Sequence, residues 1–270
     1  MHQLPVRQIP AWAVMLDRAK TEFESLLPLE ENSLRDVAGW MFLEHVLCDL
    51  ALDGIKVDRA RLAGLLDGVI PPVNADDRLA VNYGLAVRYL SDCATGVSAA
   101  ALTGAESLVV SSRPELTLEV LRSLHRIALA DEDSRAGQWR ERRATPLYPS
   151  QDPCLPEALP VLLALAMDWF SAESLQELHP LEQAAIVHLR LNELQPFDRG
   201  TGRIARLASS LYAMRAGLPP IILDPAEASG YYQALLSGFQ MNTTPLVEVF
   251  AKAGERTLRH MIELARVGSG

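Results

Sequence analysis

Apolar residues recur at intervals of three and four along most of the chain, which is the pattern of amphipathic helices. The segments with this periodicity are 37–52, 58–66, 76–93, 117–130, 156–170, 180–194, 203–216, 227–239 and 245–267. Several of them begin at or beside a proline or end at a glycine, as helices often do. The pattern therefore predicts an all-α fold.

The segment between residues 131 and 156 departs from this periodicity. It contains DEDSRAGQWRERRATPLYPSQDPCLP, which is charged in its first half and interrupted by prolines in its second half. Clusters of this kind are typical of loops, and the stretch RRATPLY within it predicts a short β-hairpin.

Composition and charge narrow the classes of function. The chain has 270 residues with a net charge of −9, and its apolar runs are shorter than the roughly 20 residues that span a bilayer. An acidic surface repels phosphate backbones, so we expect neither a nucleic-acid nor a membrane partner. The first residues lack the features of a secretory signal, and Cys48, Cys93 and Cys154 show no metal-ligand spacing. We therefore expect a cytoplasmic protein without a metal centre.

The segment QPFDRGTGRIAR, residues 195–206, carries the clearest candidate chemistry. Gly200 and Gly202 flank Thr201 directly before a predicted helix, where free N–H groups favour an anion. Arg203 and Arg206 share one face of that helix, and their guanidinium groups can bind phosphate oxygens in pairs. The segment therefore predicts a phosphate site. The alternative is that the same sequence pattern is only a glycine-rich helix start with solvated arginines.

The same segment resembles the signature of the Fic (Fido) family, His-x-Phe-x-(Asp/Glu)-Gly-Asn-Gly-Arg-x-x-Arg. The residues that match in register are Phe197, Gly200, Gly202, Arg203 and Arg206. HPLEQAAIVHLRLNELQPF and RLASSLYAMRAGLPPIIL resemble the flanking helices of that family, and 138–148 resembles its flap, which positions a target protein. The resemblance covers 81–264 and implies a Fic-type helical bundle with a β-hairpin flap, preceded by a helical region, 1–80, and followed by a tail, 265–270.

The resemblance implies transfer of AMP from ATP to a protein hydroxyl, with the histidine as general base and the acidic residue holding magnesium. Gln195 stands in place of the histidine, and an amide cannot accept a proton near pH 7. Arg199 stands in place of the acidic residue, and a cation repels magnesium. Thr201 replaces the asparagine. Ordinary AMP transfer and bound magnesium are therefore not expected.

The substitutions keep the positive charge of the loop. Arg199, Arg203 and Arg206 recur around one helix start, which leads to the hypothesis of a site for a nucleotide such as ATP, or another phosphorylated ligand, without magnesium. Asp198 is the one carboxylate in the loop and could act as a substitute base, or simply form a salt bridge or cap. His188, seven residues before Gln195, is interpreted as structural.

Two further elements follow from the resemblance. Family members carry an inhibitory helix whose glutamate pairs with the second motif arginine, and residues 37–54 align with it so that Asp53 takes the place of the glutamate and Asp49 that of a serine or threonine. The alternative is that Asp53-Gly54 only ends a helix. An aromatic residue stacks on adenine in the family, and we assign this role to Tyr232 rather than to its neighbour Tyr231.

Three functions remain open at this stage. The chain could be an altered Fic enzyme with different group-transfer chemistry, a pseudoenzyme that acts as a protein-interaction module, or a weak protein adenylyltransferase. The expected partners are a nucleotide or phosphorylated small molecule and a protein target at the flap, 138–148.

Overall fold

The computed structural model of the protein describes residues 10–95, 116–149 and 151–267. Residues 1–9, 96–115, 150 and 268–270 lie outside this description, and with them the last part of the predicted tail. The division into regions at residues 80 and 264 stays a prediction. Buried residues on both sides of residue 80, such as Leu50 and Leu90, belong to one hydrophobic core.

The prediction of an all-α fold is confirmed. The helices are α1 (Ala11–Glu24), α2 (Glu31–Leu52), α3 (Arg59–Leu66), α4 (Ala75–Thr95), α5 (Leu118–Ala128), α6 (Leu159–Ser171), α7 (Glu173–Gln176), α8 (Pro180–Leu194), α9 (Thr201–Arg215), α10 (Ala228–Phe239) and α11 (Thr244–Val267). A short 3₁₀ turn, Pro225–Glu227, precedes α10.

Helices α1 and α7 were missed by the sequence analysis. Helix α1 follows Pro10 and buries Ala13, Leu16 and Ala19, a narrow apolar stripe that packs on α11. Helix α7 is a single turn, and one turn is too short to show a period.

The prediction of a β-hairpin is wrong. Residues 141–149 form an irregular segment, and the described part of the chain contains no β-strand. Pro146 lies in the middle of the segment and has no N–H group to donate to a ladder, which explains why strand pairing does not form there. We call residues 141–149 the flap segment.

Helices α8 and α9 lie side by side at the centre of the fold, and α4 and α5 pack against α9. Helix α2 packs between α4 and α11 and ends at Asp53. The connection between α8 and α9, residues 195–200, therefore meets the end of α2 and the loop that follows α5. These three segments form the candidate site.

Candidate functional site

The loop between α8 and α9 is fixed by an aromatic stack. The ring of Phe197 is 2% exposed and lies parallel to the His125 ring, with 3.8 Å between the ring centroids, while Trp139 packs at a tilt on Phe197. His125 donates a hydrogen bond from Nε2 to the Arg199 carbonyl (3.0 Å) and accepts one at Nδ1 from the Gly137 N–H (2.8 Å). These contacts hold the loop against α5 up to the point where the chain continues into α9.

Gly200 is required where the loop enters α9. It precedes the helix with φ 74°, a left-handed conformation that costs a side chain free energy, and a Cβ there would lie 2.7 Å from Leu129 Cδ2. Among the residues that the structure describes, no side chain caps this end of α9. The first N–H groups of the helix, beginning at Thr201 and Gly202, are therefore available to an anion.

The two motif arginines are bound by acidic residues from distant segments. Arg203 binds Asp53 through Nε, and its Nη1 donates to Glu132 Oε1 at 2.7 Å. Arg206 donates from Nη2 to Asp53 Oδ1 (3.0 Å) and from Nε to Asp49 Oδ1 (3.2 Å). Asp53 thus bridges the two guanidinium groups, whereas Asp49 holds only Arg206.

The pair of Arg206 and Asp49 lies in the protein interior. Their side chains are 4% and 0% exposed, and the Tyr83 hydroxyl donates a hydrogen bond to the Asp49 carboxylate. Burial lowers the pKa of the Arg206 guanidinium, but the carboxylates of Asp49 and Asp53 more than offset this and hold that pKa well above its usual range. Burial followed by the Asp49 charge raises the pKa of Tyr83. Arg206 therefore stays charged and Tyr83 stays protonated.

A cavity of about 430 Å³ opens at the start of α9. This volume is within the range of small-molecule sites. It is lined by all seven residues expected from the sequence to bind phosphate or nucleotide, which are Arg199, Gly200, Thr201, Gly202, Arg203, Arg206 and Tyr232. Asp53, which is expected to regulate the site, lines it as well. Arg199 differs from the other two arginines because it forms no ion pair with any described residue.

Two of the expected site residues lie elsewhere. Neither Gln195 nor Asp198 lines the cavity. Asp198 is exposed and forms an ion pair with Arg135, with 3.7 Å between Oδ2 and Nη1. Gln195 is 2% exposed and faces the flap segment. Both side chains therefore lie outside the lining of the cavity, and the catalytic roles considered for Gln195 and Asp198 stay predictions.

Aromatic residues line part of the same cavity. Tyr148, Tyr231 and Tyr232 all line the cavity. Tyr231 is buried, with its hydroxyl 2.8 Å from His188 Nε2, whereas Tyr232 is 37% exposed with a long hydrogen bond (3.4 Å) to the Leu52 carbonyl. Tyr232 therefore has the freer ring face of the adjacent pair.

The sequence analysis missed several residues of the site. Glu132 and Tyr148 lie in irregular segments whose path no local pattern specifies, and Arg140 is a buried arginine among exposed charged residues. Asp49 was noticed only by alignment with an inhibitory helix. A carboxylate on the apolar face of helix α2 was the available signal, because buried charges are normally paired.

Buried histidines make the stability of the fold depend on pH. Burial lowers the pKa values of His45 and His125, and that of His188 to about 3. Below pH 6.5 the unfolded chain binds protons that the folded chain does not, so the free energy of unfolding falls as the pH is lowered. For His188 alone we expect a loss of about 2 kcal/mol between pH 7 and pH 5.

Urea denaturation at half-unit pH steps measures this loss. His188→Gln should flatten the curve between pH 7 and pH 5, whereas His260→Gln, a change at the surface, should leave its slope as it is in the natural chain. Equal slopes for the natural chain and His188→Gln would contradict the prediction.

The all-α fold, with a cavity at the start of α9 directly after Gly200, defines the structural class of the protein. Comparison with known proteins makes this class specific. Residues 115–213 match the model of the Fic/DOC family. The chain therefore contains a domain of the Fic/DOC family over residues 115–213.

Individual relatives agree with the family. A protein adenylyltransferase Fic from Drosophila willistoni is 34% identical over 89% of this chain and 45% of its own length. The structure of Fic-1 (residues 134–508) from Caenorhabditis elegans covers 96% of this chain and 74% of that one, with 25% identity and a TM-score of 0.77. A Fic domain containing signaling protein from Bacteroides thetaiotaomicron shares the fold, with a TM-score of 0.81, 22% identity and coverage of 94% and 98%.

The chain spans less than half the length of the Drosophila relative. Among the helices in the described ranges, none combines the length and the apolar character that crossing a membrane requires.

Proposed function

We propose that the cavity at the start of α9 binds the phosphates of a nucleotide such as ATP, or of another phosphorylated small molecule. The observation that carries this proposal is the position of Arg199 at the cavity without an ion-pair partner among the described residues, beside the uncapped N-terminus of α9. A guanidinium and a helix N-terminus both favour phosphate oxygens. Arg203 and Arg206 add further donors once their acidic partners move.

Asp53 regulates this site in our proposal. Its carboxylate bridges Arg203 and Arg206 and is 21% exposed, so an incoming phosphate must compete with it for both guanidinium groups. Gly54 follows with φ 80°, a conformation that terminates α2 and gives Asp53 a flexible neighbour. The charge pairs therefore lower the affinity of the cavity for phosphate until Asp53 is displaced.

Magnesium does not fit this cavity. The acidic residues that line it, Asp53 and Glu132, both bind Arg203, and Arg199 adds a positive charge at the rim. No group of three or more histidine, cysteine or acidic side chains suited to a metal occurs in the described part of the chain. We infer that a phosphate is neutralised here by arginine.

We further propose that ordinary AMP transfer to protein hydroxyls is lost or replaced. Gln195 faces the flap segment and Asp198 lies outside the cavity, so neither supplies a base beside a bound phosphate.

The cysteines Cys48, Cys93 and Cys154 are free thiols, which fits the reducing conditions of the cytoplasm.

Specific observations also favour each of two other functions. The carboxylate partners of Arg203 and Arg206 favour a non-catalytic interaction module, since both cationic side chains are satisfied within the protein. The relatives described as protein adenylyltransferases favour a weak transferase of the same kind.

Calorimetry with ATP, ADP and AMP, each with and without magnesium, tests the proposal. We expect ATP to bind most tightly and magnesium to bring no gain. Arg199→Gln should weaken ATP binding about 10–150-fold, because a charge-assisted hydrogen bond contributes roughly 1.5–3 kcal/mol. Arg135→Gln, which removes a guanidinium outside the cavity, is the matched control. An absence of heat with all three nucleotides would favour the interaction module.

Incubation with labelled ATP and cell lysate tests for AMP transfer. The natural chain should leave lysate proteins unlabelled. The double variant Gln195→His with Arg199→Asp restores two of the three family residues that the natural chain lacks, and it should transfer the label. Label transfer by the natural chain would instead support the weak transferase.

A further inference from the structure

Gln195 is held in an unusual backbone conformation. It follows α8 with φ 42° and ψ 66°, a left-handed conformation that non-glycine residues adopt only when their surroundings enforce it. Its carbonyl accepts a hydrogen bond from Arg140 Nε at 2.7 Å. The side chain is buried although the residue does not line the cavity.

The Gln195 amide pairs with the main chain of the flap segment. When the amide is oriented with its nitrogen toward the Thr145 carbonyl, the nitrogen donates to that carbonyl (3.1 Å). In the same orientation the amide oxygen accepts from the Leu147 N–H (3.3 Å). Pro146, between these two residues, has no N–H. The donor and the acceptor that flank Pro146 are therefore both occupied by one side chain.

The root of the flap segment is fixed by a buried arginine. Arg140 is 2% exposed, and its N–H donates to the Pro196 carbonyl (2.9 Å). Its Nη2 donates to the Cys154 carbonyl (2.6 Å) and to the Leu194 carbonyl at the end of α8 (3.3 Å). The flap segment is thus attached to the α8–α9 loop at its root by Arg140 and near its middle by Gln195.

An extended polypeptide binds an open segment of chain by pairing with its main-chain donors and acceptors. A side-chain amide offers one donor and one acceptor, as a peptide group does. We propose that Gln195 is a specificity-determining residue that occupies the Thr145 carbonyl and the Leu147 N–H. The site then accepts small molecules and excludes an extended polypeptide from the flap segment. The pairing of Gln195 with the flap segment does not depend on the proposed function. Only the interpretation of the excluded polypeptide as an acceptor in group transfer rests on it.

Amide hydrogen exchange of Leu147, measured by NMR without nucleotide, tests the pairing. Gln195→Gly removes the amide and suits the left-handed backbone, and Gln195→Asn keeps an amide whose stem is one methylene shorter. In both variants the Leu147 N–H should exchange about fivefold faster, which is the effect of losing a hydrogen bond that contributes roughly 1 kcal/mol. Gln233→Asn, an exposed glutamine on α10, is the matched control. Equal rates in the natural chain and both Gln195 variants overturn the proposal.

Binding of a fluorescein-labelled, end-capped peptide of alternating threonine and valine, followed by anisotropy, tests the exclusion. Gln195→Gly should bind this peptide at least about tenfold more tightly than the natural chain, because two main-chain groups become free. Equal binding by the two proteins, including none by either, overturns the exclusion. Neither measurement uses a nucleotide, so a failure here is distinct from a failure of the proposed phosphate site.

Discussion

Replacing Arg206 by glutamine should lower the free energy of unfolding by about 3–5 kcal/mol, because it leaves the Asp49 carboxylate buried without a cation. Asp49 is 0% exposed, and its partners are Arg206, the Tyr83 hydroxyl and the buried His45, whose Nε2 lies 3.8 Å from Asp49 Oδ2. Burial lowers the pKa of His45, so a hydroxyl and an imidazole cannot offset the cost of the buried charge. Urea denaturation followed by circular dichroism measures this loss.

Arg203→Gln is the matched control for this prediction. Arg203 makes as many ion pairs as Arg206, but its partners Asp53 and Glu132 have side chains that are 21% and 23% exposed. Partly solvated carboxylates lose little when a cation is removed, so we expect a loss of about 1 kcal/mol. Equal losses for Arg203→Gln and Arg206→Gln would show that burial of Asp49 does not decide the effect.

Asp49→Asn in the Arg206→Gln background gives a second check. It removes the unpaired charge while keeping the shape of the side chain, so the double variant should be more stable than Arg206→Gln alone. A double variant that is equally stable or less stable would mean that the unpaired charge of Asp49 does not cause the loss.

Much of this architecture follows from local sequence. The period of apolar residues marks α8 and α9, and Pro180 and Gly200 mark where these two helices begin. The glycine pair and the arginine spacing of 195–206 indicate an anion site before any contact is known. These features depend on residues close together in the chain, which is why a sequence can report them.

The parts that the sequence did not predict depend on residues far apart. Arg206 and Asp49 are separated by 157 positions, and the contact of Arg203 with Glu132 requires the loop after α5 to turn toward α9. The prediction of a hairpin around RRATPLY was wrong because it did not take into account that Pro146 has no N–H group to donate in strand pairing. The role of Gln195 depends on the path of the flap segment, which no local pattern specifies.

The acidic and basic side chains around the cavity differ in which partners they bind and in whether they line the cavity. Three arginines, Arg199, Arg203 and Arg206, stand against three carboxylates, those of Asp49, Asp53 and Glu132, so the closed arrangement is balanced in charge. Only two of these carboxylates, those of Asp53 and Glu132, belong to residues that line the cavity, and Asp53 alone binds both motif arginines. Asp53 is therefore the group whose removal changes the field inside the cavity most.

Asp53→Asn should raise the affinity for ATP by about 10–100-fold. The amide no longer competes with phosphate for Arg203 and Arg206, and a gain of roughly 1.4–2.8 kcal/mol corresponds to this range. The matched control is Asp198→Asn, which neutralises a carboxylate outside the cavity and should leave the affinity unchanged. Calorimetry with ATP measures both variants. If Asp53→Asn binds ATP only as tightly as the natural chain, Asp53 does not regulate the site.

Asp49→Asn should not give the same gain, although Asp49 also binds Arg206. Asp49 accepts from Nε through its side chain and from Nη2 through its carbonyl, whereas Nη1 lies beside Gly202 and forms no hydrogen bond with any described residue. Asp49 therefore holds the guanidinium with Nη1 directed to the start of α9, where a phosphate would bind. We expect Asp49→Asn to lower the stability of the fold and to leave the ATP affinity equal or weaker. A gain as large as that of Asp53→Asn would mean that Asp49 blocks the cavity as well.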